Sequence, residues 1–293
     1  MNRIKNLENF EADSGSLIVM VPVPIGNDAD ISIRALDTLK RADIICCEDT
    51  RTTAQLLARY GIHPQRLVSL YSQVEGTKAR EIVAALKGTQ QLVAYCSDAG
   101  TPGISDPGAL LVRAAIDAGI PVTALPGPCA LITALVISGL DTADFAFYGF
   151  LSDKRVARIH KLESLASVEI PMIFYESPLR VLETLKDMYE TWGDRRFALL
   201  RELTKAHEEA IRGRLSEVAE LDQASIRGEC VIVVDGFEKT SDGFDEQIAK
   251  LYQLYADNGI SPSLSAKLIA EQLGLRKNEV YRIVQRLDKD AED

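Results

Sequence analysis

The sequence has few of the residue types that usually hold metal ions or cross-link a chain. It contains three histidines and five cysteines among 293 residues, and no two cysteines are spaced as a C-x-x-C pair. The histidines, His63, His160 and His207, are not spaced as metal ligands, so we expect no structural metal site. An odd number of cysteines in mostly apolar segments is typical of free, buried thiols in a reducing compartment.

An excess of positive charge and a long hydrophobic run are also missing. The net charge is −10 at pH 7, which counts against a protein coated in nucleic acid but allows a local basic patch. The longest apolar stretch, residues 124–140, is interrupted by prolines and glycines and is too short to span a bilayer. Residues 1–15 do not have the basic start and apolar core of a signal peptide. We therefore expect a cytoplasmic protein without a membrane segment.

Three widespread ligand-binding and catalytic motifs are absent. The chain contains no G-x-G-x-x-G, which argues against a standard dinucleotide-binding protein. It contains no G-x-x-x-x-G-K-[S/T], which excludes a P-loop nucleotide-binding protein. It also lacks G-x-S-x-G, and Ser97 and Ser105 have no histidine near them in sequence, so a serine hydrolase is disfavoured.

The most informative feature that is present is the stretch SDAGTPGISDPG at residues 97–108. It follows the apolar run 91–96, which predicts a buried strand, and it precedes a helical pattern that begins near Ala109. Ordinary connections between a strand and a helix are about two to six residues long. This loop is longer and contains three glycines, two prolines and two aspartates. We therefore interpret it as a ligand-binding loop in preference to an ordinary connection.

The hydrophobic pattern predicts an α/β protein with two sheet-containing domains and a small helical block. Residues 15–150 alternate strand and helix signals, which indicates a parallel-rich sheet with helices on both faces. Residues 151–240 predict a mixed-sheet α+β domain that begins with a charged connector at 152–160. Residues 240–243 predict a linker, and residues 243–290 predict three helices. The last two of these helices are typical either of a helix-turn-helix or of a helical cap used for packing or dimerisation.

Three loops of the first domain follow predicted strands and would open toward one edge of the sheet. They are residues 21–27, 97–108 and 125–130. Their prolines and glycines predict a rigid wall that a ligand can approach closely.

Residues 48–53 form a polar cluster after the second strand. This cluster either contacts a substrate or is simply a helix N-terminus capped by Thr50.

Two polar clusters of the second domain, residues 174–180 and 201–205, also begin where predicted strands end. Both could therefore face a cleft between the two domains.

Basic side chains form two further groups, which are candidates for a local basic face: Arg155, Arg158 and Lys161, and Arg276, Lys277, Arg282 and Arg286. An ordinary solvated helix surface explains the first group slightly better.

Taken in order, these motifs resemble those of the tetrapyrrole methylase superfamily (class III methyltransferases), and within it the branch that methylates a cytidine of ribosomal RNA. The matching stretches span nearly the whole chain, and in this order they are highly specific although each alone is weak. They are Pro24-Ile25-Gly26-Asn27, Asp30-Ile31-Ser32, Arg34-Ala35-Leu36, Glu48-Asp49-Thr50-Arg51, Ser97-Asp98-Ala99-Gly100-Thr101-Pro102, Pro126-Gly127-Pro128, Phe174-Tyr175-Glu176-Ser177, Arg201-Glu202-Leu203-Thr204-Lys205 and Gly228-Glu229. One segment departs from the family pattern: residues 70–76 contain no histidine or asparagine where relatives usually carry a His-x-His-Asn-type stretch. The departure leaves open which nucleotide is modified.

The resemblance implies a homodimer in which each chain holds S-adenosylmethionine between two α/β domains and releases S-adenosylhomocysteine. It also implies that the loops around Asp98 and Gly127 and the region of Tyr175 touch the cofactor. The cofactor-binding candidates are Pro24, Gly26, Ser97, Asp98, Ala99, Gly100, Ile104, Ser105, Pro126, Gly127, Ala130, Leu131 and Tyr175.

The partner implied by the resemblance is the RNA of the small (16S) ribosomal subunit, methylated at a cytidine 2′-oxygen. A 2′-hydroxyl is a poor nucleophile until its proton is removed, so a carboxylate or lysine near it would act as a base. The base candidates are Glu48, Asp49, Glu176 and Lys205, and Arg51 and Arg180 would hold phosphate or polarise the ribose. Three alternatives stay open: a methylase of a tetrapyrrole such as a precorrin, a methylase of another RNA site, and a non-enzymatic ligand-sensing regulator that binds nucleic acid.

Overall fold

A computed structural model describes residues 15–238 and 244–292, with the backbone alone for Ser225 and residues 289–292. The chain forms two compact units that separate between Gly236 and Phe237. The predicted linker at 240–243 and residues 1–14 lie outside the described residues. Every helix in the described ranges is too short or too polar to serve as a membrane span.

The first sheet is formed entirely from parallel strands in the order β3-β2-β4-β1-β5. Its strands are β1 Leu17–Met20, β2 Ile44–Cys47, β3 Leu67–Ser69, β4 Leu92–Cys96 and β5 Val122–Ala124. The helices that alternate with them are α1 Ile33–Arg41, α2 Thr50–Arg59, α3 Glu75–Leu86 and α4 Ala109–Asp117. Successive parallel strands are joined by crossover connections that are usually helical, and the predicted alternation of strands and helices is confirmed.

The two faces of this sheet are covered by different helix pairs. Successive side chains of a strand point to opposite faces, and β1 follows this rule with four buried residues. Leu17 and Val19 pack with Ala35 of α1 and Leu57 of α2, whereas Ile18 and Met20 pack in the cluster of α3 and α4. The sheet is therefore buried on both faces, and its loops are left at the strand ends.

The second sheet is mixed and has the order β6-β7-β10-β8-β9. Its strands are β6 Ala146–Phe150, β7 Met172–Glu176, β8 Arg196–Arg201, β9 Glu209–Arg214 and β10 Cys230–Val234. Only β6 and β7 are parallel, and the other neighbours are antiparallel. Three helices belong to this part of the chain: α5 Ala130–Ser138, α6 Arg155–Leu165 and α7 Val181–Trp192. The prediction of a mixed second sheet is confirmed.

Helix α5 connects the first sheet to the second. It begins after the loop that follows β5, and its buried residues Leu131, Ala134 and Leu135 pack on the second sheet against Ile173 and Val231. The predicted boundary between residues 150 and 151 comes after both α5 and β6, which already contribute to this second core. The domain boundaries stay a prediction.

Residues 152–160 were predicted as a charged connector, and this prediction is wrong, because α6 begins at Arg155. The side chain of Arg158 is fully buried, and its guanidinium forms ion pairs of 2.7 Å with both Glu183 and Asp187 of α7. Burial of charge was invisible in the sequence because its partners lie about 30 residues away. Arg158 cannot belong to an exposed basic face, and Arg155 is paired with Asp187 and Glu190.

The second unit contains three helices, α8 Asp245–Asp257, α9 Pro262–Leu273 and α10 Lys277–Glu292. They share a core that includes Ile248, Ile269 and Val284. Gly274 ends α9 in the left-handed conformation with φ of 65°, which glycine adopts without steric cost.

Two residues of the predicted basic face in this second unit are paired. Arg276 pairs with Glu238 and Glu279, and Arg286 pairs with Asp245. The helix-turn-helix and the helical cap both stay predictions.

Candidate functional site

A cavity of about 690 Å³ lies where the loops of the first sheet meet strands of the second. Its volume falls within the usual range for small-molecule and cofactor sites. The first sheet contributes residues of all three loops that the sequence singled out, including Ile25, Asp98 and Ala130. The second sheet contributes residues at or just beyond strand ends, including Tyr175 and Lys205.

The central wall of the cavity is the loop at residues 97–108. Its glycines Gly100, Gly103 and Gly108 have φ of 72°, 85° and 131°, values that other residues rarely adopt. Ser105 also has a positive φ, 64°, and it lines the cavity. A strained non-glycine residue persists only when its surroundings hold it, and such residues are frequent at functional sites.

This loop is tied to both of its neighbours. Gly100 exchanges two backbone hydrogen bonds of 3.0 Å with Val23 of the first loop. The Thr101 hydroxyl donates to the carbonyl oxygen of Pro128 in the third loop at 2.8 Å. The three loops therefore form one connected backbone surface at the edge of the sheet.

The carboxylate of Glu75 fixes the far end of the 97–108 loop. Its Oε1 atom accepts hydrogen bonds from the backbone N–H groups of Gly108 at 2.7 Å and Leu110 at 2.8 Å. Glu75 is buried and stands at the start of α3, so a side chain from one helix caps the N-terminus of the next.

Replacing Glu75 with alanine is expected to lower the free energy of unfolding by about 1–3 kcal/mol. The change would leave the buried N–H of Gly108 and the partly buried N–H of Leu110 without an acceptor, and that is the usual cost of unsatisfied donors. Glu75→Gln keeps an oxygen at the same place and should retain most of the stability. Urea denaturation measures both variants, and equal losses for alanine and glutamine would contradict the capping role.

The loop after β8 in the second sheet contacts the first loop of the first sheet. Glu202 and Thr204 have φ of 50° and 66°, and the backbone N–H of Asn27 donates to the Thr204 hydroxyl at 3.1 Å. A Cβ atom at Gly26 would lie 2.4 Å from Cγ of Lys205, which explains why this position has no side chain. The two sheets thus contact each other directly beside the cavity.

Carboxylates dominate the electrostatics at the first-sheet wall and directly behind it. Burial raises the pKa of Asp98 and of Asp106, and the charge of Asp98 raises that of Asp106 further. Burial also raises the pKa of Glu48, and the charges of Asp106 and Asp98 add to the effect. These three carboxyl groups therefore face one another in a partly desolvated region, which favours a positively charged ligand.

Lys205 is the cation that lines this cavity, and it is already paired. Its Nζ atom lies 2.9 Å from Glu202 Oε1 and 2.9 Å from Glu229 Oε2. Burial opposes the charge of Lys205, but hydrogen bonds to these two carboxylates outweigh it, and the pKa of Lys205 is raised. The hydrogen bond from Lys205 holds the pKa of Glu202 below its usual value. Lys205 is therefore a cation at neutral pH.

Two of the predicted catalytic carboxylates have structural partners. Asp49, and not Thr50, caps α2: its carboxylate accepts from the Arg51 backbone N–H at 2.7 Å and pairs with the Arg51 guanidinium at 2.9 Å. Hydrogen bonds from Arg51 lower the pKa of Asp49 to about 2. Glu176 is buried, and its two oxygens accept from Arg180 and from the Thr184 hydroxyl at 2.7 Å each.

An aromatic pair lines the second-sheet side. The Tyr175 and Phe150 rings have centroids 5.6 Å apart in an edge-to-face arrangement. The Tyr175 hydroxyl accepts a hydrogen bond from the Leu131 backbone N–H at 3.2 Å, which fixes it to the start of α5. Phe150 is 57% exposed, so part of its ring is free to contact a ligand.

The structure brings nine of the predicted site residues into the cavity wall: Asp98, Ala99, Gly100, Ile104, Ser105, Ala130, Tyr175, Glu176 and Lys205. The other nine do not line the cavity: Pro24, Gly26, Ser97, Pro126, Gly127, Leu131, Glu48, Asp49 and Arg51. Their roles stay predictions. Gly127, for example, packs against Pro22, since a Cβ atom there would lie 2.6 Å from the proline Cβ.

Several cavity residues were missed by the sequence reasoning. Phe150, Cys230 and Val231 line the wall, and they read as ordinary core residues at strand ends. Their only sequence signal was their position next to a predicted loop. In the part of the chain that the structure describes, no cluster of His, Cys, Asp and Glu side chains is suited to hold a metal ion. The cavity is instead suited to an organic ligand with an apolar part and a positive charge.

Comparisons with known proteins agree with this geometry. The family described as "Tetrapyrrole (Corrin/Porphyrin) Methylases" matches residues 17–219. Among solved structures, uroporphyrin-III C-methyltransferase from Thermus thermophilus, complexed with S-adenyl homocysteine, has a TM-score of 0.53 and 19% identity over 75% of this chain and 97% of that one. A diphthine synthase has a TM-score of 0.55 and 15% identity over 75% and 90%. These distant structures show a shared fold.

Curated relatives are much more similar in sequence. Ribosomal RNA small subunit methyltransferase I of Streptococcus pyogenes serotype M18 is 41% identical over 273 residues, which are 92% of this chain and 94% of that protein. The protein of the same name from Haemophilus influenzae is 41% identical over 277 residues, 92% and 96% of the two chains. The chain therefore belongs to the tetrapyrrole methylase family, and to the branch of it that these ribosomal RNA methyltransferases represent.

Proposed function

We propose that this protein transfers a methyl group from S-adenosylmethionine to the ribose 2′-oxygen of a cytidine in small-subunit (16S) ribosomal RNA. The observation that carries the proposal is the 690 Å³ cavity at the carboxyl ends of the parallel strands, in a chain 41% identical to relatives named for small-subunit RNA methylation. The departure at residues 70–76 leaves the position of the cytidine to experiment.

The cavity residues fit the methyl donor chemically. Ile25, Ile104 and Val231 give an apolar lining for a flat base, and the backbone of the 97–108 loop offers hydrogen-bonding groups near Gly100. The carboxylates of Asp98 and Asp106 favour the positive charge of a sulfonium. When bound, the cofactor supplies an activated methyl group. The protein's part is to hold donor and acceptor in line, an alignment that contributes roughly 7–11 kcal/mol in favourable cases.

Among the four predicted bases, the surroundings favour Glu48. A base that removes a hydroxyl proton works best when its pKa lies near the working pH, and that of Glu48 is raised. The pKa of Asp49 is lowered and that of Lys205 is raised, so neither is a ready proton acceptor at neutral pH. The Arg51 side chain is 86% exposed, so its guanidinium can meet a phosphate of the RNA.

The proposal is tested with the purified full chain and two kinds of acceptor. Labelled S-adenosylmethionine is incubated with small ribosomal subunits from cells that lack this gene, and in parallel with uroporphyrinogen. Label in the RNA that maps to a cytidine ribose is the expected result. Label in the tetrapyrrole alone, or in neither, would refute the proposal.

The affinity for S-adenosylmethionine is expected to fall as the pH is lowered from neutral through the raised pKa values of Asp98 and Asp106. The pKa values of Asp98 and Asp106 are raised, so these groups become protonated at a higher pH than the ordinary aspartate value of about 3.9. Protonation removes the negative charges that attract the sulfonium. S-adenosylhomocysteine has no sulfonium charge and should lose less affinity. Calorimetric titrations of both ligands measure the difference, and parallel pH curves would contradict it.

We propose further that the protein acts as a homodimer in the cytoplasm. Ile132 and Val136 on α5 are 44% and 68% exposed, and a second copy could cover such apolar side chains. The five cysteines are free, which fits a reducing compartment. Light scattering in solution measures the mass, and a monomer would contradict the first of these proposals.

A further inference from the structure

A second concave surface lies between α3 and α4, on one face of the first sheet. It is a groove of about 470 Å³ that is distinct from the cavity. From α3 it is lined by Gly76, Arg80, Val83, Ala84 and Lys87, and from α4 by Leu110, Arg113, Ala114, Asp117 and Ala118. The positions 80, 83, 84 and 87, and likewise 110, 113, 114 and 117, have the spacing of a single helix face. Two helix faces therefore form the groove walls.

The charge of this groove is positive, in contrast to the net charge of −10 for the whole chain. It contains the three cations Arg80, Lys87 and Arg113 against one carboxylate, Asp117. All three cations are exposed, and within the described ranges none of them forms an ion pair. Other cations near helices, such as Arg155, are paired. Unpaired like charges in one groove repel one another, which indicates a site for an anionic partner.

The floor of the groove is made of small and apolar residues. Gly76, Ala84 and Ala114 have little or no side chain, so a partner can approach the helix backbones closely. Leu110 is 45% exposed and presents an apolar surface beside the cations. By the helical rise of 1.5 Å per residue, Arg80 and Lys87 are about 10 Å apart along α3. That spacing suits an extended polyanion, whose charges recur every few ångströms, better than a single small anion.

The groove is also connected to the cavity through the chain. Leu110 comes four residues after Asp106, which lines the cavity, and Glu75 anchors the intervening backbone. When one ribose of a nucleic-acid strand lies in the cavity, the phosphates on both sides of that ribose lie nearby. The groove can then contact phosphates of the same strand.

We propose that the groove between α3 and α4 binds the phosphate backbone of the RNA substrate through Arg80, Lys87 and Arg113. The inference rests on the proposed function, because it assigns to that same substrate a contact outside the cavity. Phosphate contacts position a nucleic acid without reading its sequence, so the groove sets the affinity for the RNA and leaves the chemical step unchanged.

The test is a double charge reversal, Arg80→Glu with Arg113→Glu, one on each wall. Its matched control is Arg34→Glu with Lys40→Glu on α1, which packs on the opposite face of the same sheet and also has exposed cations. Binding of naked small-subunit RNA is measured over a range of salt concentrations, and KM and kcat are measured for methyl transfer to whole subunits.

The groove variant should bind RNA roughly 25-fold more weakly at about 0.1 M salt, and its log–log salt slope should be smaller by about 1.4. These figures follow from a slope of roughly 0.7 for each single-stranded phosphate contact, taken over two contacts and one decade of salt. The KM for subunits should rise, while kcat and the affinity for S-adenosylmethionine stay at the wild-type values. The control should bind as the wild type does.

Four other outcomes separate the possibilities. Wild-type methyl transfer with an unchanged salt slope and KM in the groove variant would overturn the inference and leave the proposed function intact. The salt slope could be reduced in the groove variant although the wild-type protein transfers no methyl group to RNA. That result would support the groove and refute the proposed function. Equal losses in groove variant and control would mean that overall charge alone matters, which overturns the inference. A change in oligomeric mass with normal RNA binding would make the groove an interface between copies, which overturns it too.

Discussion

Glu48→Gln is expected to lower kcat for methyl transfer by about 10²–10⁴-fold, the range usual for loss of a general base. Glu48 follows β2 and accepts a hydrogen bond from the backbone N–H of Asp98. Burial and two neighbouring carboxylates raise its pKa, which makes it a better proton acceptor than an ordinary carboxylate. Glutamine keeps the shape and the acceptor for the Asp98 N–H, but it cannot take the proton.

The chain offers a matched control at the next residue. Asp49→Asn removes a charge at the same edge of the sheet, yet asparagine caps helices as well as aspartate does. We therefore expect kcat of Asp49→Asn to stay within a few-fold of wild type. The pH profile gives a second readout: the wild-type kcat should fall as the pH drops through the raised pKa of Glu48, and this limb should disappear in Glu48→Gln. An unchanged kcat in Glu48→Gln would exclude Glu48 as the base.

Arg158→Ala is expected to lower the free energy of unfolding by about 3–5 kcal/mol. The Arg158 side chain is fully buried, and it forms 2.7 Å ion pairs with Asp187, which is 2% exposed, and with Glu183. Removing one partner of a buried ion pair leaves an incompletely compensated charge in the core, and that is the reason for the large cost. The two carboxylates belong to α7, so the loss should also loosen the contact between α6 and α7.

The control for this prediction shares a partner with Arg158. Arg155 pairs with the same Asp187 at 2.8 Å, but its side chain is 54% exposed. Exposed ion pairs contribute about 0–1 kcal/mol, so Arg155→Ala should be mild. Urea denaturation measures both variants, and Arg158→Lys gives a milder change if the alanine variant does not fold. Equal effects of Arg155→Ala and Arg158→Ala would show that burial of the charge is not decisive.

The first sheet and the resemblance to the tetrapyrrole methylase family were predictable because their signals are local. Buried parallel strands such as β4 are continuous apolar runs, and the strand predicted in the apolar run 91–96 is confirmed as Leu92–Cys96. The loop at 97–108 was recognisable from its glycines and prolines. Five of its residues that were predicted to bind the cofactor line the cavity.

The features that escaped prediction depend on contacts between distant segments. The burial of Arg158 was missed because an arginine reads as a solvent-exposed residue until its partners on α7 are known. Glu75 caps a helix 33 residues further along the chain, a contact that no local pattern encodes. Phe150 likewise becomes part of the cavity wall only when the two sheets meet.

The route of α5 bears on how a ligand enters. Because α5 continues from the third loop into the core of the second sheet, swinging the two sheets apart would pull that loop away from Thr101. We therefore expect the two sheets to keep a fixed relative position while ligands enter and leave through the open side of the cavity. Divergence in substrate choice among relatives would then arise from rim side chains such as Phe150, and not from a different angle between the halves.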